Sequence, residues 1–509
     1  MTTVPTPSGV GSIIEAPPSG ERWTLVAGPQ FRAPDLSAVD GVITEPSELS
    51  LLRTTYHDTA DLRILRWGGE LRHDAGRGWT VLLGDGERGA QHVSQLLHFA
   101  DSPLVPAEAI DLLTAFTRRA PIRPVLRTRT ERSELRITGT DGIVHGRLRD
   151  DLITVMQGRR IATRFREIEV VDSSSNGGAG SVAALVEALR GAGAAPSPAS
   201  GTAIRAMGAV ASAPPDVAVP QALAHSSGAA AIRRAIAQSV SRLILHDAAV
   251  REGIDPEGVH QARVATRRLR SDLRTFAPLL DAAWVSSLRE ELHGIADLLG
   301  AVRDGDVLLG RLRAACASLP ESERESAASI IEALQGIRTQ ARERLLESMR
   351  DPAYVRLLDD LVAAANTPPT VPEASGDAAA LLPPLARKPW RRLRRLVESL
   401  PEEPPDADLH QVRISAKRAR YAAEAVAAVA RPGVEEFAGA VAAVQDVLGD
   451  HHDAVVAEQW LRETGAATST DPLVLGELIG LERATAADRR AAWRPAWRAA
   501  RKAHPHTWA

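Results

Sequence analysis

The sequence predicts an α+β multidomain chain: an antiparallel β domain, then an all-α domain of two four-helix bundles related by an approximate two-fold axis. Three observations carry this. From about residue 21 to 207 short alternating segments are separated by glycine turns, whereas from about residue 221 onward apolar residues recur at helical spacing. A basic helical pattern occurs twice in the second part, the shift from His260 to His410 being 150 residues. The Pro-rich interval 366–384 separates the two copies. The expected division is a disordered N-terminus at 1–20, a β domain at 21–208, a linker at 209–221 and a helical domain at 222–505, its halves near 222–365 and 385–505.

A chain of 509 residues has room for two or three domains, each with its own core. Its 44% hydrophobic and 25% charged content is that of a soluble globular protein. Cys316 is the only cysteine, which excludes an intramolecular disulfide and makes a reducing compartment the expectation. MTTVPTPSGVGS has no basic segment followed by an apolar one, and no run reaches the ~18 apolar residues of a membrane helix. A cytoplasmic protein without a membrane partner is expected. The net charge is −3, so any anion site must come from segregated charge. Lys388, Lys417 and Lys502 are the only lysines; the dominance of arginine also fits a coding bias.

In the first part, Leu71–Leu83 reads as a hairpin, and Val125–Ile137 with Ile143–Val155 as a longer one turning at Thr140-Asp141-Gly142. Further turns are expected at Gly68-Gly69 and Gly84–Gly86. Alternation places His145, Arg147, Arg149 and Asp151 on one strand face, and Arg127 with Arg129 on one face of the partner strand. Phe165–Val171 closes the set with Glu167 and Glu169 on a common face, and Ser181–Arg190 reads as a short amphipathic helix. A face with both arginines and acids fits a solvated sheet surface. It equally fits the lining of a barrel that holds a phosphate chain and a metal.

Thr54–His73, Gly78–Leu83, Thr130–Ile137, Leu148–Val155 and Phe165–Val170 together resemble the CYTH domains, the triphosphate-tunnel family. The resemblance implies an eight-stranded tunnel that binds triphosphates and often hydrolyses them with a divalent metal. The family's first strand carries E-x-E-x-K, acids for metal and lysine for phosphate. Here the corresponding stretch is GERWTLVAG (Gly20–Gly28), and no register supplies those residues. Val81, Leu82 and Leu83 are apolar where a phosphate-binding lysine is usual, and residues 1–387 contain no lysine. Arginine can replace the positive charge but not the metal-holding acids. A CYTH-like fold with degraded hydrolytic apparatus, and no catalytic residues, is therefore expected. Its candidate phosphate contacts are Arg63, Arg72, Arg127, Arg129, Arg147 and Arg149.

The helical part is expected near 228–250, 258–279, 284–316 and 321–348, then 386–399, 408–430, 433–464 and 472–502. Within HQARVATRRLRSDLR, positions His260, Arg263, Arg267, Arg270 and Arg274 fall within roughly 80° of a helix circumference. Ala262, Ala265, Leu269, Leu273 and Phe276 take the opposite side. A single such face fits a solvated surface, yet solvated faces usually mix signs because like charges at i,i+4 repel. HQVRISAKRAR repeats the offsets with His410, Arg413, Lys417 and Arg420. Leu299, Gly300 and Asp304 are answered by Leu448, Gly449 and Asp453, so two motifs recur in one order: an internal duplication. The helix 386–399 sets Lys388, Arg391, Arg392 and Arg395 against Trp390, Leu393 and Val397. The last helix is basic too, with Trp493 and Trp497 expected in the core.

These paired helices and L-G-x-x-x-D segments resemble the CHAD family, the conserved-histidine α-helical domains, over roughly 222–503. The resemblance implies binding of inorganic polyphosphate on a basic surface where the halves meet, through His260, Arg263, Arg267, Arg268, Arg270, His410, Arg413, Lys417, Arg418 and Arg420. Arg274 and the four cations of 386–399 join this set from the charge pattern. The residues agree, because a polyanion calls for a continuous cationic track and arginine offers fork geometry for phosphate oxygens. Asp304 and Asp453 are expected to orient arginines rather than to catalyse.

Other motifs are weaker. Asp450–Asp453 spells DHH inside a helix, and the doublets His246-Asp247 and His57-Asp58 lack further metal ligands. Three functions follow in order: a polyphosphate-binding protein with no cofactor, associated with polyphosphate granules; a triphosphatase using Mg²⁺ or Mn²⁺; and a nucleic-acid phosphate binder, for which base readout is missing. The deciding observation is whether the two ridges converge on one groove.

Overall fold

The computed structural model describes residues 22–39, 42–84, 93–139, 142–173, 179–197, 201–221, 225–430 and 432–504. The expected disordered segment 1–20 and the turn residues Thr140 and Asp141 lie outside them, as do residues 85 and 86. The chain divides into two compact units, Met1–Asp216 and Val217–Ala509.

Unit 1 holds strands β1 (Arg22–Ala27), β2 (Ile43–Asp58), β3 (Glu70–Asp74), β4 (Gly78–Gly84), β5 (Val93–Phe99), β6 (Arg123–Thr138), β7 (Val144–Gln157), β8 (Arg160–Asp172) and β9 (Ala195–Pro196). They form one antiparallel sheet of nine strands in the order β5-β4-β3-β2-β6-β7-β8-β1-β9. Both expected hairpins are present, as β3–β4 and β6–β7. Gly78 opens β4 with φ +100, and a Cβ there would collide with the Phe99 carbonyl, so the turn requires glycine. The edges β5 and β9 are not paired to each other among the described residues.

Five helices accompany the sheet: α1 (Arg63–Arg66), α2 (Ala107–Leu112), α3 (Thr114–Thr117), α4 (Ala179–Gly191) and α5 (Thr202–Met207). Strand alternation gives the sheet two unlike faces. Leu25, Leu148, Ile168 and Val170 pack with Val182, Leu185 and Leu189 of α4, the helix expected at 181–190. The other face is polar and curves around a cavity. At one end Ala203 of α5 packs with Tyr56, Leu65, Leu126 and Val155. Helix α5 was not expected; six residues are too few to display a period.

Unit 2 is helical: α6 (Gly228–Glu252), α7 (Pro256–Thr275), α8 (Ala282–Ser318), α9 (Glu321–Arg350), α10 (Pro352–Asn366), α11 (Ala378–Leu381), α12 (Pro383–Glu398), α13 (Asp406–Ala427), α14 (Val434–Thr464) and α15 (Pro472–Lys502). Among the described residues no helix is long and apolar enough to cross a membrane. All eight expected helices occur. Helix α10 was missed, although Asp351 caps it and Pro352 sits at its first position.

The Pro-rich interval is more than a spacer. Gly228 donates to the Gly376 carbonyl at 2.9 Å, Ala378 to Ser226 at 3.0 Å and Asp281 to Pro369 at 3.0 Å, so this segment is stitched back onto the first half. The halves also share a core at the far ends of their long hairpins. Leu309, Leu312 and Cys316 of α8 and Ile330 and Leu334 of α9 pack with Ala457 and Leu461 of α14 and Val474 and Leu478 of α15. The hairpin tips of the two halves therefore interlock.

Candidate functional site

Helix α7 starts where Asp255 accepts the Glu257 amide at 2.8 Å and Pro256 occupies the first turn. Its apolar stripe, Ala262, Ala265, Leu269 and Leu273, is buried, and this leaves the basic ridge on the opposite side. Helix α13 buries Leu409, Val412, Ala416 and Ala419 in the same way. The two ridges converge. Arg267, Arg270, Ser271 and Arg274 of α7 and Ile414, Lys417, Arg418 and Tyr421 of α13 line one groove of about 210 Å³. The guanidinium of Arg267 lies over the Tyr421 ring at 5.5 Å, and that of Arg420 at 5.7 Å. Tyr421, Ser271 and Ile414 were not foreseen; the charge pattern carried no signal for them.

The repeated aspartates stand beside the repeated arginines. Asp304 is 3.0 Å from Arg263, and Asp453 is 4.0 Å from Arg413. Two ridge cations turn away to tie the helices together. Arg268 pairs with Asp272 at 3.2 Å and crosses to Glu424, which also holds Arg420 at 2.6 Å. Asp272 is not on the ridge; it is buried, and burial pushes its carboxyl up to about 7 despite Arg268 beside it.

The remaining cations face one another. Burial first, then Arg413, Arg267 and Arg263, push the Lys417 ammonium down to about 8. Burial together with Arg418, Arg289 and Arg270 lowers Arg274. Burial lowers His260, with Arg303 next, and lowers His410, with Arg413 and Lys417 next. His452, whose ring is 4.2 Å from that of His410, is pushed down to about 4, chiefly by burial. Such a concentration of like charge is what a bound polyanion would relieve.

Lys388, Arg391, Arg392 and Arg395 of α12 are exposed and do not line the groove, whereas Trp390, Leu393 and Val397 are buried as expected. Trp493 and Trp497 are buried, with Trp390 and Trp497 ring centroids 5.3 Å apart, so neither is an open stacking platform.

In unit 1, Thr54, Tyr56, Arg72, Asp74, Thr80, His98, Thr130, Arg132, Asp151 and Thr202 are among the residues lining a cavity of about 190 Å³. Of the six arginines expected there, only Arg72 lines it. Register explains Arg127 and Arg129. Thr128, Thr130 and Arg132 share the face of Asp151, which puts Arg127 and Arg129 on the exposed opposite face. Arg147 is exposed, Arg63 pairs with Asp61 at 2.8 Å, and Arg149 pairs with Glu134 and Glu169, each at 2.9 Å. Arg77 and Arg132 line the cavity and were not expected.

Arg132 and Arg72 each have an acid. Arg132 forks onto Asp151 at 2.8 and 2.7 Å; Arg72 meets Glu70 at 3.0 Å and Asp74 at 3.4 Å. Glu167 is held by Arg205 at 3.0 Å and by the Thr202 hydroxyl at 2.6 Å. A divalent metal, implied by the resemblance of this half, does not fit these residues. Register puts Arg22, Thr24 and Val26 on the face of Glu167 and Glu169, so β1 offers no acid there, and Asp74, Asp151, Glu70 and Glu167 are engaged by arginines.

The short motifs resolve into structural roles. Asp58 accepts the amides of Ile64 and Leu65, each at 3.0 Å, and fixes α1. Asp247 is buried between Arg251 and the Tyr354 hydroxyl, both at 2.6 Å. His451 is buried 3.2 Å from Asp406, and Asp450 is 3.3 Å from Arg489. Among the described residues no cluster of His, Cys, Asp or Glu is arranged to hold a metal.

A family model of the CHAD domain matches residues 234–462. The chain is similar to two uncharacterized proteins of Mycobacterium tuberculosis, Rv2226 of strain H37Rv and MT2285 of strain CDC 1551. Each is 28% identical over 471 residues, covering 86% of this chain and 87% of its own. Among solved structures, PptA from Streptomyces chartreusis matches at 24% identity with a TM-score of 0.46, over 54% of this chain and 99% of its own. The CHAD domain from the plant Ricinus communis matches at 27% identity with a TM-score of 0.45, over 54% and 94%.

Proposed function

We propose that the CHAD domain this chain carries at residues 234–462 binds inorganic polyphosphate in the groove between α7 and α13. The observation that carries this is the convergence of both repeated ridges on one groove, where Arg267, Arg270, Arg274, Lys417 and Arg418 face a common space. Each of these is a donor to phosphate oxygens, and none of the groove-lining residues is an acid. Arg263 and Arg413, oriented by Asp304 and Asp453, extend the track, with His260 and His410 on the same ridges. Arg268 and Arg420 hold the two helices in register. The exposed cations of α12 serve as a secondary track for long chains.

A thin chain with about one charge per residue suits a narrow groove better than a nucleic acid does, because bases need open platforms and the tryptophans here are buried. In unit 1, the matched arginines and acids support a CYTH-like fold without hydrolytic apparatus. The test is a competition at fixed ionic strength. Polyphosphate should displace bound single-stranded DNA or RNA at equal phosphate concentration, and excess nucleic acid should not displace polyphosphate. Nucleic acid winning would overturn the reading.

A further inference from the structure

We infer that Lys417 is a site of acylation by small acyl phosphates, which the groove would recruit through their phosphate and position beside the amine. The inference rests on the groove binding phosphate, as proposed above. Lys417 is the one primary amine among the residues lining the groove, in a wall whose other cations are the guanidiniums of Arg267, Arg270, Arg274 and Arg418. Arginines fork onto phosphate oxygens, whereas a lysine amine can also act as a nucleophile. The groove therefore pairs a phosphate clamp with a reactive group a few side chains away.

Its surroundings favour that second role. Burial opposes the charge of Lys417 most, Arg413, Arg267 and Arg263 oppose it next, and Asp453 is the counterweight. An amine titrating at about 8 is roughly half free base at pH 8, while an ordinary lysine is well under about 1% free base there. Lys388 and Lys502, the only other lysines, are exposed. Both are internal references for the rate of an ordinary exposed amine, and Lys502, outside the proposed binding surface, is also the control for shielding by polyphosphate.

The step balances without a further reactant. The Nζ lone pair attacks the carbonyl carbon of the acyl phosphate, and a C–N bond forms. The tetrahedral adduct collapses, the C–O bond to phosphate breaks, and the electron pair leaves with the phosphate. The proton shed by nitrogen goes to that phosphate, giving an amide and hydrogen phosphate. Acylation removes a central cation from the groove, so the modified chain should bind polyanions more weakly.

The test treats the whole protein with acetyl phosphate at pH 8 and follows each lysine by peptide mass spectrometry. Lys417 should be acetylated roughly tenfold faster than exposed Lys388 and Lys502, an advantage of proximity. Long-chain polyphosphate should suppress labelling of Lys417 and leave that of Lys502 unchanged. A neutral N-hydroxysuccinimide acetate, which has no phosphate to recruit, should lose most of the preference. Equal or faster labelling of Lys388 or Lys502 by acetyl phosphate overturns the inference, as does an undiminished preference with the neutral donor. Polyphosphate binding is measured separately on untreated protein: binding without selective acetylation sinks only this inference, and no binding at all sinks the proposed function. As a second arm, polyphosphate affinity of Lys417→Arg should not change on acetyl phosphate treatment, whatever its starting value. A loss equal to that of the unsubstituted protein would place the effect elsewhere.

Discussion

The cavity of unit 1 and the groove of unit 2 are both walled by arginine, and they treat it in opposite ways. In the cavity Arg132 has Asp151 and Arg72 has Glu70 and Asp74, and these acids raise both guanidiniums against the lowering effect of burial. In the groove Arg274 and Lys417 are lowered by burial and then by their cationic neighbours. Arg132 and Arg72 are matched within the chain; the groove cations are left for a ligand. The difference teaches that a count of arginines says little about anion binding until each is matched with its acid.

The largest expected effect comes from reversing a groove charge. Arg267→Glu and Lys417→Glu should each weaken long-chain polyphosphate binding about 100-fold, near 2.8 kcal/mol at about 1.4 kcal/mol per tenfold. Short chains that occupy one ridge should be affected unequally. Titration with chains of defined length measures this, and indifference of both variants would return the ridges to ordinary solvated faces.

Stability should respond in the other unit. Arg132→Ala leaves Asp151 without its fork and should cost about 2 kcal/mol in urea unfolding, without changing polyphosphate affinity. Arg267→Ala removes a like-charge neighbour and should stay within about 0.5 kcal/mol. Comparable losses in the two variants would erase the contrast.

Acidity separates the regions further. Lys417 is cationic below about 8 and loses its charge as pH rises through that value, so affinity should fall several-fold between pH 7 and 9. Lys417→Arg should flatten the profile. Because His260 and His410 are lowered in the free chain, they should add to binding only at pH below the ordinary imidazole value. Stability carries a separate signature from Asp272. Its folded value, about 7, lies above the unfolded one, so its contribution is full below the unfolded value and is lost as pH rises through about 7. Asp272→Asn should remove that slope in thermal melts across pH 4–7. The smallest effect is on salt: the log–log slope of affinity should shrink by about 1 in Arg270→Ala and stay the same in Arg132→Ala.

The ridges were legible because helical period and charge sign coincide: His260, Arg263, Arg267, Arg270 and Arg274 fall on one face without a compensating acid. Their convergence was not, since which helices meet is set by packing far along the chain. On β6, alternation separated Arg127 and Arg129 from Thr128, Thr130 and Arg132, but charges occur on both faces, so polarity could not say which face turns inward. Nothing in the sequence marked Asp272 as buried, because local spacing does not report burial. Helix α10 carried a start signal in Asp351-Pro352, whereas α5 was too short to show one.

The interlocked hairpin tips have a consequence for assembly. Leu309, Leu312, Ile330 and Leu334 pack against Ala457, Leu461, Val474 and Leu478 of the α14–α15 tip of the other half. The halves are repeats, so the surface that fits one half resembles what a duplicate of itself would offer. A fragment ending near residue 365 should therefore recruit a second fragment and exchange tips as a symmetric homodimer, with two α7 ridges facing each other. In the intact chain the same embrace is intramolecular, which makes closure of the groove independent of protein concentration.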